Sequence, residues 1–195
     1  MRSIFTAGSP DESLVVLDYS QIELRIAAAL APDTRMLEAF RGEEDLHKAT
    51  ASMLLGKPLA QIVPAERQIA KSAAFGLLYG AGAQGLRAYA LATYGINLTL
   101  NEAREIRSKF FRHYKGLAAW HARAHTNEST VTEGRTVTGG RRFLYVSPGA
   151  EQSDINWAGF QLLTNFRVQG SAADVLKLAM IKVNERLPRE QAAAD

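Results

Sequence analysis

Two cationic and two aromatic residues recur at four-residue intervals near the middle of the sequence: Arg67, Lys71, Phe75 and Tyr79. On an α-helix they would form one slowly drifting stripe about 18 Å long. A triphosphate needs charge-assisted donors, and a nucleotide base needs a flat apolar surface. The stripe could therefore hold a nucleotide lengthwise. The same spacing also occurs in an ordinary amphipathic helix whose aromatic side chains enter the core, and spacing alone leaves both interpretations open.

A single carboxylate, that of Asp18, follows the short apolar run Leu14–Leu17. The run predicts a β-strand, and a carboxylate at the end of a strand can face a cleft and bind a hard divalent cation. Asp18 could equally lie in an ordinary turn. Ser20 and Glu23 have the spacing of a capping box, which predicts that a helix begins near Gln21.

The segment Gly80–Gly85 matches the glycine pattern of dinucleotide-binding loops, Gly-x-Gly-x-x-Gly, at every position. That pattern requires a buried strand before it and a helix after it. Pro64 and Glu66 are instead typical of a helix N-terminus, and they predict a helix that leads directly into Gly80. Dinucleotide binding is therefore the weaker alternative, since these glycines can also end a helix.

Four histidines and no cysteine are present. Without cysteine the chain has neither disulfides nor thiolate zinc sites. His121 and His125 have the spacing of a zinc-binding helix, but the glutamate of that motif does not follow His121 and no third ligand is near in sequence. The histidines are therefore expected in solvent or at the edge of the core.

The remaining patterns predict a mostly helical α+β protein. Predicted helices cover residues 21–31, 34–40, 46–55 and 64–80, one or two more cover 99–124, and a last helical stretch runs from 154 to 187. That stretch is expected to break near Gly170, where Ser171 and Asp174 have the spacing of a cap. Threonine, valine and aromatic residues around two glycine-containing turns predict a β-hairpin within residues 130–146.

The chain has 195 residues, 47% of them hydrophobic and 22% charged, with a formal net charge of +3. This composition is that of a globular domain, and no run is long and apolar enough to span a bilayer. The first ten residues lack the apolar segment of a signal peptide, which favours an intracellular, cytoplasmic location. The mildly basic balance permits a polyanionic partner without requiring one.

Several segments, taken together and in order, resemble family-A DNA polymerases. Asp18–Arg25 and Arg67–Gly80 resemble the first two polymerase motifs of that family. Shorter segments add to the resemblance, namely residues 45–47, 140–142, 165–174 and 177–180. The resemblance extends over nearly the whole chain and implies a right-hand polymerase fold. In that fold, residues 1–24 belong to the palm, residues 25–150 form the fingers, and residues 151–195 return to the palm.

The resemblance implies template-directed transfer of deoxynucleotides to a primer 3′-hydroxyl, with primer-template DNA and deoxynucleoside triphosphates as partners. Asp18 and the backbone carbonyl of Tyr19 would bind Mg²⁺ in a two-metal mechanism. Lys71 would hold the triphosphate and protonate the departing pyrophosphate, which makes Asp18 and Lys71 the expected catalytic residues. DNA replication and repair would be the cellular roles, and the oligomeric state stays open.

The resemblance also implies two sets of binding residues. The nucleotide-binding set is Tyr19, Gln21, Glu23, His47, Arg67, Lys71, Phe75 and Tyr79. Within it, His47 would contact phosphate, Phe75 would pack on the base and sugar, and Glu23 would block a ribose 2′-hydroxyl. Tyr79 would occupy the position of the templating base. The DNA-binding set is Gly80, Arg141, Asn165 and Gln169, of which the last two would check the minor groove at the primer end.

Departures from the family pattern at Gln68, Ala74 and Arg167 suggest a divergent, phage-like member. The third motif of the family, His-Asp-Glu with the second metal-binding aspartate, would be expected shortly after Leu187, and the chain ends before it. The isolated chain is therefore expected to bind nucleotide weakly and to extend primers poorly or not at all. The alternatives are a non-catalytic nucleotide- or nucleic-acid-binding relic and a dinucleotide-binding domain.

Overall fold

The computed structural model of the protein describes residue 6, residues 8–9 and residues 11–186. This part of the chain is mostly helical with one small antiparallel sheet, which confirms the predicted α+β class. Its elements in chain order are α1 (Ile22–Leu30), α2 (Thr34–Arg41), α3 (Leu46–Leu55), α4 (Pro64–Leu78), α5 (Ala83–Tyr94), α6 (Leu100–His113), α7 (Lys115–Asn127), β1 (Glu133–Arg135), β2 (Arg141–Phe143), α8 (Gln152–Leu163) and α9 (Asn165–Arg186). None of the helices in this part is long and apolar enough to cross a membrane.

Helix α4 lies at the centre of the helical core and packs against α3, α5 and α6. Its buried residues are small or apolar: Ala70, Ser72, Ala73, Ala74, Gly76, Leu77 and Leu78. A Cβ atom at Gly76 would lie 3.3 Å from Leu86 Cδ1 and 3.4 Å from Tyr89 Cδ1, so the glycine lets α5 approach closely. From Ala70 to Leu78 this packing leaves only Lys71 and Phe75 partly exposed.

Two helices have the termini that the sequence predicts. Helix α3 begins at Leu46 and is closed by Gly56, whose φ of 65° favours glycine. Helix α4 begins at Pro64, and Glu66 accepts a hydrogen bond from the Val63 N–H at 3.1 Å. In both helices one or two residues were sufficient to predict the helix terminus, because caps act on the first or last turn only.

One buried carboxylate, that of Asp33, caps two helices. Its Oδ1 accepts from the Met36 N–H in the first turn of α2 at 3.1 Å, and its Oδ2 accepts from the Leu117 N–H in the first turn of α7 at 3.1 Å. Asp33 is only 1% exposed. Gly116 makes the approach possible, since a Cβ there would lie 2.6 Å from the Asp33 Cα. Asp33 therefore joins two elements that are far apart in the sequence.

The segment before α1 differs from its prediction in two ways. Residues Leu14–Leu17 form no strand and are largely exposed, because a strand needs a partner and the sheet in the described ranges contains only β1 and β2. Ser20 does not cap α1. Gln21 is the N-cap residue instead, with a φ of 54° and no capping side-chain hydrogen bond. Glu23 is consequently not the partner of a capping box.

The last helical stretch breaks at Thr164, where α8 and α9 meet, and not at Gly170 as predicted. Helix α9 continues through Gly170 without interruption. A Cβ atom at Gly170 would lie 2.7 Å from Thr136 Cγ2, so this glycine serves the close contact between α9 and the hairpin. The predicted end of the stretch, Leu187, lies outside the described residues.

Ser171 and Asp174 hold the predicted hairpin against α9 and do not cap a helix. Ser171 Oγ accepts from the Val137 N–H at 3.0 Å. Asp174 Oδ2 accepts from the hydroxyl of Thr136 at 2.7 Å and from that of Thr138. Both residues lie inside α9, so the predicted cap is wrong. The polar side chains serve tertiary structure, because the turn between β1 and β2 needs acceptors for its N–H and hydroxyl groups.

Replacing Ser171 with alanine is expected to lower the free energy of unfolding by about 1 kcal/mol, because the Val137 N–H loses its acceptor in a partly buried site. Urea denaturation followed by circular dichroism measures the change. Ser108→Ala is the matched control, since Ser108 is an exposed serine inside helix α6. An equal loss of unfolding free energy in both variants would contradict the assignment of Ser171 Oγ as the acceptor of the Val137 N–H.

Candidate nucleotide-binding site

The predicted stripe on α4 exists. Arg67, Lys71, Phe75 and Tyr79 are all partly exposed, whereas most of the residues between them are buried. Phe75 and Tyr79 also pack against the hydrophobic core. The two interpretations of the spacing are therefore both partly correct, because each ring presents one side to the core and leaves part of its surface accessible.

Arg67 is fixed at the N-terminus of α3. Its Nε donates to Asp45 Oδ2 at 2.6 Å, while Asp45 Oδ1 accepts from the N–H groups of His47 and Lys48 at 3.0 and 3.2 Å. Burial would raise the pKa of Asp45, but the hydrogen bond from Arg67 and those from the two N–H groups outweigh burial and lower it. The ionised carboxylate thus orients the guanidinium and leaves its terminal nitrogens to bind other anions.

His47 lies beside the stripe as a buried, neutral residue. It is 2% exposed, and its ring centroid is 5.8 Å from that of Phe75. Burial lowers the pKa of His47 to about 4, and the positive charges of Arg67 and Lys71 lower it as well. Its Nδ1 is buried and has no hydrogen-bond partner among the described residues. Buried polar atoms are nearly always paired, so Nδ1 is an available donor or acceptor at this position.

Lys71 contacts an aromatic ring from the next helix. Its Nζ lies 5.9 Å from the centroid of the Tyr94 ring, at the last residue of α5, which is within the range of a cation–π interaction. Among the described residues, the salt bridges do not include Lys71. The ammonium group therefore has no carboxylate to displace when it binds an anion.

Tyr79 brings together residues from three helices. Burial raises the pKa of Tyr79 well above its usual value, the carboxylate of Glu23 on α1 raises it further, and Gln169 on α9 acts in the opposite direction. The Tyr79 hydroxyl is nevertheless buried without a well-formed hydrogen bond to any described group, as is Gln21 Oε1. Glu23 and Gln169 thus lie next to Tyr79, and Tyr79 and Gln21 each keep a buried polar atom without a hydrogen-bond partner among the described residues.

Asp18 and Tyr19 are exposed and lie apart from the core, along a groove of about 780 Å³. The other wall of the groove is the apolar face of α9, including Ala172, Leu176 and Met180. Within the described residues, no three histidine, cysteine or acidic side chains form a metal-binding group. A carboxylate and a backbone carbonyl are nevertheless hard oxygen donors, which suit Mg²⁺ where substrate phosphates complete the coordination.

The predicted DNA-binding residues occupy several elements. Gly80 follows α4 with a φ of 82° and packs directly against Phe160. Asn165 begins α9, and its Oδ1 accepts from the Thr164 hydroxyl at 3.2 Å. Arg141 lies on β2 and pairs with Glu133 across the hairpin. Gly80 and Gln169 therefore border Tyr79, while Arg141 belongs to the hairpin.

Sequence reasoning missed two residues near the stripe, Asp45 as the partner of Arg67 and Tyr94. It also expected His121 in solvent or at the edge of the core, whereas His121 is buried. Tyr94 was missed because helix α5 was not predicted. The segment Gly80–Gly85 follows the end of α4 at Leu78 and contains Gly82, which is the N-cap of α5. Because a helix precedes this glycine pattern, and the described sheet is one antiparallel hairpin, the dinucleotide-binding alternative is wrong.

The chain matches the sequence profile of DNA polymerase family A over residues 1–195. DNA polymerase I of Aquifex aeolicus is 39% identical over 192 residues, which cover 97% of this chain and 31% of that protein. The thermostable DNA polymerase I of Thermus aquaticus is 36% identical over 180 residues, which cover 89% of this chain and 20% of that protein. The chain therefore spans less than a third of the length of these relatives.

A solved structure is similar to the chain in its fold as well as its sequence. It is the POL domain of Pol1 from M. smegmatis, in complex with DNA primer-template and dNTP. The two align with a TM-score of 0.73 and 33% sequence identity, over 86% of this chain and 28% of that chain. The similarity in fold thus extends over most of this chain.

Proposed function

The chain belongs to DNA polymerase family A, and on that premise we propose that it forms the nucleotide-binding part of an enzyme that copies a DNA template onto a primer 3′-hydroxyl. The observation that carries the proposal is the α4 stripe, whose two cations and two rings remain partly exposed beside the N-terminus of α3. The solved relative with DNA primer-template and dNTP supports both partners.

In the proposed reaction, the stripe binds the incoming deoxynucleoside triphosphate. Arg67 and Lys71 donate to phosphate oxygens, which stabilises the charge that develops on the leaving pyrophosphate. Lys71 Nζ also carries the proton that the pyrophosphate takes up. Arg67 needs no reorientation for this role, because Asp45 already holds its guanidinium in place.

The base end of the nucleotide is assigned to Phe75, which packs on the base and sugar. Glu23 lies near Tyr79 at the junction of α1 and α4, and its side chain is assigned to exclude a ribose 2′-hydroxyl by occupying the space that the hydroxyl would need. Gln169 and Asn165 are assigned to the minor groove at the primer end, where acceptors common to all base pairs allow a check of geometry.

The divalent metal is assigned to the exposed oxygen donors ahead of α1. Asp18 and the carbonyl of Tyr19 would hold one Mg²⁺, with phosphate oxygens as further ligands. When bound, the metal ions of such a site activate the primer hydroxyl and neutralise the leaving pyrophosphate. We assign residues 1–24 and 151–195 to the palm of this enzyme and residues 25–150 to its fingers.

Replacing Lys71 with alanine is expected to weaken binding of a fluorescent deoxynucleoside triphosphate by about ten- to a hundredfold, since a charge-assisted hydrogen bond to phosphate is lost. Titration of the 195-residue chain in the presence of Mg²⁺ measures the affinity. Lys115→Ala, which removes an exposed lysine at the start of α7, is the matched control and should bind as the unchanged chain does.

Two outcomes of that titration would count against the proposal. If the Lys71→Ala chain and the unchanged chain bind the triphosphate with equal affinity, the stripe is not part of the binding site. Tight binding of NADH that does not depend on Lys71 would show that a different nucleotide site is present. Because the chain spans under a third of its relatives, nucleotide binding tests this proposal more directly than primer extension does.

A further inference from the structure

The C-terminal turn of α4 closes with a Schellman motif. The Gly80 N–H donates to the Leu77 carbonyl at 3.1 Å, and the Ala81 N–H donates to the Gly76 carbonyl at 3.0 Å. Gly80 adopts the left-handed conformation that this motif requires, with a φ of 82°. The motif satisfies two of the last four carbonyls of the helix, and it leaves the carbonyl of Leu78 without a backbone donor.

The missing donor for Leu78 comes from helix α7. Nε2 of His121 lies 3.0 Å from the Leu78 carbonyl oxygen. A carbonyl oxygen can only accept, so Nε2 carries the hydrogen and donates it. His121 is 6% exposed, and burial lowers its pKa to about 4, so the imidazole is neutral at pH 7 with its one proton on Nε2. This pairing therefore completes the cap of α4 from a distant part of the chain.

The ring of Phe160 on α8 holds the same turn by contact. A Cβ atom at Gly80 would lie 2.3 Å from Phe160 Cε1, so the ring lies directly on the Gly80 backbone. The Phe160 ring also meets the His121 ring edge to face, with centroids 5.4 Å apart and planes at 85°. A hydrogen bond and an aromatic contact thus converge on the two residues that flank Tyr79.

We propose that His121 is a positioning residue, which fixes the last turn of α4 through the Leu78 carbonyl and thereby sets the orientation of Tyr79 at the end of the nucleotide-binding stripe. The second half of this inference rests on the proposed function, whereas the first half does not. Without the Nε2 donor, the Leu78 carbonyl is buried and unpaired, and the turn that carries Tyr79 and Gly80 gains alternative conformations.

Amide hydrogen exchange tests the anchoring without any nucleotide. In the 195-residue chain, His121→Leu is expected to speed exchange of the Gly80 and Ala81 N–H groups at least tenfold at pH 7. His121→Gln keeps an amide donor at the ε position and should exchange within a few-fold of the unchanged chain. The Gly95 N–H, which closes α5 through the Leu91 carbonyl at 3.0 Å, is the internal control and should not change.

Three outcomes would overturn the anchoring role: unchanged exchange in His121→Leu, equal acceleration in the leucine and glutamine variants, and equal acceleration at Gly95. If His121→Leu does not fold, His121→Asn replaces it, because its shorter amide cannot reach the Leu78 carbonyl. Fast exchange in the asparagine variant with slow exchange in the glutamine variant supports the anchor, and identical behaviour overturns it.

Nucleotide titration then tests the positioning role. His121→Leu is expected to weaken binding of the fluorescent triphosphate several-fold, and His121→Gln is expected to restore it. If His121→Leu exchanges the Gly80 N–H rapidly but binds the triphosphate with unchanged affinity, the positioning role is overturned and the anchoring role stands. If the unchanged chain binds no triphosphate, both the proposed function and the positioning role are overturned. The hydrogen-exchange data would still test whether His121 anchors the last turn of α4.

Discussion

Replacing Asp33 with alanine is expected to lower the free energy of unfolding by about 3 kcal/mol, because one substitution removes the caps of two helices. Both carboxylate oxygens accept from helix N-terminal N–H groups, those of Met36 and Leu117, at 3.1 Å each. Asp33 is 1% exposed, so bulk water has little access to the two N–H groups once the carboxylate is removed. Two buried donors would be left without partners.

Urea denaturation of Asp33→Ala and Asp33→Asn measures the effect. An asparagine side chain has only one acceptor oxygen, so Asp33→Asn should retain one of the two caps. Its loss of unfolding free energy should be about half of that in Asp33→Ala. Asp154→Ala is the matched control, since Asp154 is an exposed aspartate in the first turn of α8, and it should change stability by less than about 0.5 kcal/mol. A loss in Asp33→Ala no larger than in the control would show that the double cap does not contribute.

Lowering the pH from about 7 to 4 is expected to destabilise the fold through two buried histidines. Burial lowers the folded-state pKa of His47 and of His121 to about 4, from a usual value of 6.5. Between these values the unfolded chain binds a proton at each histidine that the folded chain does not bind. Each histidine therefore makes its full contribution to the free energy of unfolding above pH 6.5 and loses that contribution as the pH falls to 4. The contribution is roughly 3 kcal/mol per histidine.

The charges around each histidine agree with this direction. Arg67 and Lys71 lower the pKa of His47, and the opposing effect of Asp45 is smaller than that of burial. His121 faces Arg107 and His125, which also lower its pKa, whereas its bond to the Leu78 carbonyl raises it. Protonated histidine is therefore disfavoured at both positions, beside the α4 stripe and at the end of α4.

The dependence of unfolding free energy on pH provides the measurement. Each buried histidine should contribute a slope of about 1.4 kcal/mol per pH unit inside this window. His47→Gln and His121→Gln should each remove one such slope, and the double variant should remove both. His125→Gln, at an exposed histidine, is the control. An unchanged slope in the two single variants would contradict the assignment of buried neutral imidazoles.

Local structure on α4 and α3 was predictable because short-range signals determine it. The four-residue spacing of Arg67 and its companions places them on one side of α4 once that segment is helical, and Pro64 and Gly56 mark helix termini directly. Other local signals were misleading. Ser20 has the spacing of a capping box, but Gln21 is the N-cap of α1. The glycine at position 170 serves a tertiary contact with the hairpin and does not end a helix.

The sequence by itself determined the mostly helical class, the termini of α3 and α4, the existence of the hairpin, and the stripe of cations and rings. Only the tertiary structure decided which partner each polar group has. Arg67 pairs with Asp45 over 22 residues, His121 with Leu78 over 43, and Asp33 with Leu117 over 84. Such pairs depend on how helices pack, and side-chain spacing within one helix carries no information about the helix that lies beside it. The run Leu14–Leu17 remains without regular structure for the same reason, since strand pairing also requires a partner from elsewhere in the fold.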